Sequence, residues 1–165
     1  YVDAANIDLK SFSEEIYAQL NAGKLKPILD ALKIYKEEGV WLEITNLVVP
    51  SWTDDLDMIK KMCEWMMKND MENVPLHFSR FQPLYQLTHL PATPVTTLRK
   101  AKQIALSAGL KYVYIGNVPG EDQNTYCPSC EKLVIERKGF RILQNHISSG
   151  SCDHCNAIVP GKWEL

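Results

Sequence analysis

The chain has 165 residues, a formal charge of −2 and an ordinary share of apolar residues, enough for one medium domain or for a larger and a smaller one. The near-balanced charge removes any bulk electrostatic case for a nucleic-acid or membrane-surface partner. The longest apolar runs, such as Leu47-Val48-Val49, are far too short to span a bilayer, and no secretory leader pattern is present.

Taken in order, residues 4–10 predict a short strand ending in charged residues. Ser13 predicts a helix cap, with Glu14 and Glu15 in the first turn of a helix to Leu20. Pro27 marks the first turn of a second helix. Its apolar residues Ile28, Leu29, Leu32, Ile34 and Tyr35 recur at helical spacing, and Gly39 stops it. Val40 to Val49 is rich in apolar and β-branched residues and predicts a strand ended by Pro50. Thr53 or Asp54 is expected to cap the next helix, whose stripe is Leu56, Ile59, Met62, Cys63 and Met66. Met58, Met62, Met66, Met67 and Met71 fit core packing better than a soft-metal face, and Cys63 reads as a small buried hydrophobe.

Val74 to Phe81 alternates as a third strand, and a proline-punctuated loop, Gln82 to Thr93, follows. Thr93-Pro94 predicts a cap followed by proline at the first helical position. Leu98, Ala101, Ile104, Ala105 and Ala108 carry that helix to Gly109. Lys111 to Ile115 is the fourth strand, and a turn-rich link, Gly116 to Gly120, leads on. Strands alternating with helices imply a parallel sheet. Four strands make half a barrel or a small open sheet, here residues 1–120.

Residues 121–165 are too few to bury a sufficient core without a staple. They carry Cys127-Pro128-Ser129-Cys130 and, 21 residues later, Cys152-Asp153-His154-Cys155. Two such pairs supply four thiolates at tetrahedral-site spacing, so a four-cysteine, zinc-ribbon-like module is expected. Iron in a rubredoxin-like site is the alternative metal, and a pair of disulfides the alternative chemistry. His146 and His154 are reserve ligands. Glu131 and Asn156 follow the second cysteine of each pair, where the turn often needs a positive φ that asparagine tolerates better than glutamate. Strands are expected from Lys132 to Lys138 and from Phe140 to His146. Cysteines held as metal ligands point to a reducing, cytoplasmic compartment.

Asn6-Ile7-Asp8-Leu9-Lys10, followed by the run from Trp41 to Asp55, resembles the back half of radical S-adenosylmethionine enzymes of the pyruvate formate-lyase activating type. Pro83-Leu84-Tyr85, Ala92-Thr93-Pro94, Tyr112 to Asn117 and Glu136 to Phe140 between the cysteine pairs are similar to the radical component of the AmmeMemoRadiSam system. The resemblance implies an α/β fold: the C-terminal half of a partial (β/α) barrel with parallel strands, followed by the ribbon. It also implies that Asp8 and Lys10 bind S-adenosylmethionine. The Cys-x-x-x-Cys-x-x-Cys motif that holds the [4Fe–4S] cluster in that family is absent from these 165 residues, as is its Gly-Gly-Glu segment. Both are expected upstream of Tyr1, so the chain reads as a fragment that is inactive alone. In the parent, a 5′-deoxyadenosyl radical would abstract hydrogen from an unknown protein or small-molecule substrate.

Other polar residues are weighed on spacing. Asp8 and Lys10, two apart at a strand end, point the same way, and a plain surface ion pair is their alternative reading. Glu43 and Thr45 share a strand face that would look into a half-barrel. His77 reads as a hydrogen-bonded structural histidine, with a ligand or proton-shuttle role as the alternative. Arg80 would clamp an anion or pair with an acidic helix. Tyr85 and His89 lie in the loop expected on the ligand side. The rival to a radical enzyme is a non-enzymatic binding module with a zinc-ribbon adaptor, although residues 126–165 carry five Lys/Arg against four Asp/Glu, a net of +1 that disfavours nucleic acid. A half-barrel with an apolar inner face and open edges would dimerise or swap.

Overall fold

The computed structural model describes residues 2–121, 123–139 and 141–163. Tyr1 and Phe140, named above, lie outside them. The chain divides into two compact units, Tyr1–Val118 and Pro119–Leu165.

The first unit is built on β1 (Ala4–Asp8), β2 (Trp41–Val48), β3 (Leu76–Arg80) and β4 (Val113–Gly116), in that spatial order. Every neighbouring pair is parallel. Helices α1 (Glu14–Asn21) and α2 (Leu25–Glu37) connect β1 to β2, α3 (Leu56–Lys68) connects β2 to β3, and α4 (Val95–Ala108) connects β3 to β4. This is the expected mixed α/β unit with a four-stranded parallel sheet.

Alternation along the strands decides where the core sits. Leu42, Ile44, Val48, Leu76, Phe78, Val113 and Ile115 are buried on one face and pack with Leu32, Ile59, Met62, Cys63, Met66, Leu98, Ala101 and Ala105 from the helices. Each such large side chain contributes about 1.5–3 kcal/mol of apolar burial. Met58, Met62, Met66 and Met71 are all buried, as core methionines rather than a metal face. Ile34 departs from the stripe read for α2 and is exposed.

The other face carries Asn6, Asp8, Glu43, Thr45, His77, Ser79 and Tyr114, with Trp41 and Leu47 among them, and none of these is buried. The apolar inner face expected of a half-barrel is therefore corrected: the uncovered face is mostly polar.

Two capping expectations are also corrected. Asp55, not Thr53 or Asp54, caps α3, accepting from Asp57 N at 2.8 Å and from Met58 N. Thr53 is buried and ties the end of β2 to itself, accepting from Val49 N and donating to Leu47 O, both at 2.7 Å. Asp54 instead accepts from Ser51 N at 2.8 Å. Pro94, not Thr93, occupies the cap position of α4. The buried Thr93 hydroxyl accepts from Phe81 N at 2.9 Å and donates to Val48 O, fastening the ends of β2 and β3 together. Threonine suits both jobs, and the long-range partners won because those backbone groups have no ladder partner beyond the strand ends. By contrast, Ser13 caps α1 as expected, accepting from Ile16 N.

The second unit holds an antiparallel sheet of β5 (Thr125–Tyr126), β6 (Leu133–Lys138) and β7 (Arg141–Asn145), and a short antiparallel pair, β8 (Ile147–Ser148) with β9 (Ser151–Cys152). Its core is small: Cys127, Val134, Cys152 and Val159, with Cys130, Ile147 and Ala157 packed against them. Two of the four buried residues of this cluster are cysteines, so this unit depends on what its sulfurs hold.

Among the described residues, no helix is long and apolar enough to cross a membrane.

Candidate metal centre and open-sheet site

Each cysteine pair forms the same turn. Glu131 N donates to Cys127 O and Asn156 N to Cys152 O, both at 2.8 Å. Cys127 N donates to Lys132 O and Cys152 N to Ala157 O, both at 2.9 Å. Glu131 and Asn156 take φ of 58° and 59°, the left-handed geometry expected of that position. Glutamate adopts it despite its intrinsic cost, because the two turn bonds leave no alternative.

These turns aim the sulfurs at one point. Cys127, Cys130, Cys152 and Cys155 place their Sγ atoms within 4.8 Å of one another. Cys127 Sγ and Cys155 Sγ are 3.7 Å apart, and Cys130 Sγ and Cys152 Sγ 3.9 Å. A tetrahedron with metal–sulfur bonds of about 2.3 Å has edges of roughly 3.8 Å. A disulfide needs about 2.05 Å, and all five cysteines are free. The geometry fits a four-thiolate metal site and not a pair of disulfides.

The electrostatics agree with a bound cation. Burial raises the Cys127 thiol, but backbone N–H groups of Cys130 and Ser129 and the sulfurs of Cys130 and Cys155 outweigh it and bring it down to about 7. The Ala157 N–H lowers Cys155, yet contacts with Cys130, Cys127 and Cys152 push it up to about 12. The two shifts are opposite because the sulfurs hydrogen-bond to one another: Cys127 gives up its proton more readily as an acceptor, and Cys155 keeps its proton as a donor. A cation among them favours the thiolate form of both.

His146 and His154 stand outside this set. Their rings approach to 5.1 Å, His154 Nε2 donates to Leu133 O at 3.2 Å, and His146 Nε2 pairs with Gln144 Oε1 at 3.1 Å.

In the first unit, Asp8 and Lys10 sit at and just beyond the carboxyl end of β1, where open α/β sheets bind ligands. Lys10 Nζ lies 2.9 Å from Asp8 Oδ2, both partly exposed. Tyr17 of α1 anchors this segment: its hydroxyl accepts from Lys10 N at 3.1 Å and donates to Asp8 O at 3.4 Å. Burial first, and then Asp8, raise the Tyr17 phenol against the lowering effect of the Lys10 N–H, so it stays a donor. Sequence spacing held no hint of this contact; the only signal was an aromatic ring inside a short helix.

Register builds a row across the uncovered face. Asp8 pairs with Thr45, Thr45 with His77, and His77 with Tyr114. Thr45 Oγ1 donates to Asn6 Oδ1 at 2.9 Å. His77 Nε2 lies 2.9 Å from Glu43 Oε2, and its ring stacks on Tyr114 with centroids 5.1 Å apart and planes at 23°. His77 is thus hydrogen-bonded, as read, but to a carboxylate. Arg80 donates from Nε to Thr93 O at 2.9 Å, and no ion pair to it occurs among the described residues. Tyr85 is 88% exposed at a φ of 52°, and His89 is exposed beside it in the same loop.

No family model matches the chain. An uncharacterized protein, MJ0808, of Methanocaldococcus jannaschii is 43% identical over 161 residues. The match covers 96% of this chain and 48% of that protein, so the chain spans about half the length of this relative. A crystal structure of a domain of pyruvate-formate lyase-activating enzyme from Bacteroides vulgatus superposes with a TM-score of 0.57 at 17% identity, covering 70% of this chain and 68% of that one. At that identity the likeness is one of fold: the chain shares its α/β architecture with an activating-enzyme domain and carries a four-cysteine site capable of holding a metal ion.

Proposed function

We propose that this chain is part of a radical S-adenosylmethionine protein of the activating-enzyme kind, related to the radical component of the AmmeMemoRadiSam system, with a structural zinc ribbon. The observation that carries the reading is the Asp8–Lys10 pair at the carboxyl end of β1, on a sheet with the fold of an activating-enzyme domain. An adjacent carboxylate and ammonium complement an amino-acid zwitterion: Lys10 would receive the cofactor's carboxylate and Asp8 its ammonium. Tyr17 would hold both in place through their backbone.

What bound S-adenosylmethionine supplies beside a reduced [4Fe–4S] cluster is a hydrogen-abstracting carbon radical. The five cysteines of this chain are Cys63, which is buried alone, and the four of the ribbon. The cluster ligands therefore belong to a part of the parent protein outside this chain. The ribbon sulfurs suit zinc, because four thiolates at tetrahedral spacing need no redox metal.

Saturation-transfer difference NMR with S-adenosylmethionine tests the cofactor site. Transfer to the methionyl protons is expected with the 165-residue chain, and its loss with Asp8→Ala/Lys10→Ala. No transfer to the unaltered chain at millimolar ligand would remove the assignment.

A second reading, a zinc-ribbon adaptor without enzymatic activity, is favoured by β7, which is exposed along its whole length and includes Ile142 and Leu143. Association with short RNA or DNA at low salt would support it.

A further inference from the structure

The polar row on the uncovered sheet face contains an arrangement that a structural histidine does not need. Among the described residues His77 makes one polar contact, through Nε2 to Glu43 Oε2 at 2.9 Å. A carboxylate only accepts, so Nε2 carries the hydrogen, and in the neutral ring the lone pair is on Nδ1. Nδ1 has no hydrogen-bond partner among the described residues, and the side chain is 29% exposed. The ring cannot turn freely, because it stacks on Tyr114 and is fixed at its far end by Glu43.

We infer that His77 is a proton-accepting site, oriented by Glu43 and floored by Tyr114. Its ligand is a small polar molecule that lies on the uncovered face and presents a hydroxyl or amide N–H to Nδ1. When the proton moves, the donor atom keeps the bonding electron pair and Nδ1 gains the hydrogen. The imidazolium then forms against the Glu43 carboxylate already in contact with Nε2, which stabilises the charge without reorganisation. The neighbour across the row, Thr45, offers its hydroxyl oxygen as an acceptor to the same ligand, its hydrogen being donated to Asn6. The inference stands on sheet register and side-chain contacts alone, so it survives if the cofactor reading fails.

Two measurements on the 165-residue chain test it. Long-range nitrogen–proton NMR of the imidazoles reads the tautomer directly: a protonated Nε2 and a bare Nδ1 are expected at His77, and the reverse would overturn the inference. Diethyl pyrocarbonate modification near neutral pH, mapped by mass spectrometry, reads reactivity. His89 and His154 are exposed, whereas His77 is half-buried. A merely structural His77 would therefore react more slowly than those two. The inference expects it to react several-fold faster than His89, and expects Glu43→Gln to bring that rate down to the His89 rate or below. A His77 rate in the unaltered chain no higher than that of His89 would overturn it, as would an undiminished rate in a Glu43→Gln variant that retains its far-ultraviolet spectrum.

Discussion

Cys63 shows how much one buried group can weigh. It sits in α3 with none of its surface exposed, among Ile59, Met62 and Met66. Burial is the main cause that pushes its thiol from an ordinary 9.0 up to about 12, opposed by a backbone hydrogen bond and aided by Glu64. The thiol is neutral when protonated, and the folded value lies above the unfolded one. Its contribution is therefore fully present below pH 9 and is lost as the pH rises toward 12, over a range of a few kcal/mol. Urea unfolding of the chain across that window is expected to show a falling midpoint, and Cys63→Ala is expected to flatten the fall. An identical slope in the variant would show that other groups dominate.

At the scale of elements, the two cysteine turns repeat the same pair of backbone bonds while differing in one residue. Glu131 bears a side chain in a conformation that asparagine tolerates better, at nearly the φ of Asn156. Glycine carries no Cβ penalty there, although it adds unfolded-state entropy. Glu131→Gly is expected to strengthen the four-cysteine module by about 1 kcal/mol, seen as slower release of a metal ion loaded into it to a chromophoric chelator. Faster release would mean that the glutamate side chain makes a compensating contact. Thr93 works at the same scale in the first unit. Its hydroxyl joins the ends of two strands through Val48, 45 residues earlier in the chain, and it does so where a helix cap would otherwise be read.

For the molecule as a whole, the division into Tyr1–Val118 and Pro119–Leu165 separates two sources of stability. The first unit has a broad apolar core beneath its sheet. The second has a core cluster of only four buried residues, two of them metal-ligand candidates. Removing the metal is therefore expected to unfold the second unit alone. The four α-helices of the described residues all belong to the first unit, so chelation should leave the far-ultraviolet helix signal intact while NMR dispersion from β5 to β9 collapses. Loss of both together would show that the sheet unit depends on the ribbon. The sequence by itself determined the two cysteine pairs and the strand–helix order: four cysteines in two pairs are local patterns, and so are apolar residues at spacings of two or of three and four. It also placed Asp8 beside Lys10, two residues away. Only the tertiary structure decided that Glu43 meets His77, 34 residues on, that Tyr114 floors the ring, that Tyr17 braces Asp8 and Lys10, and that the uncovered sheet face is polar. The contacts of His77 depend on the register of parallel strands, which is set by how each intervening helix packs on the sheet, and no spacing within one strand records it.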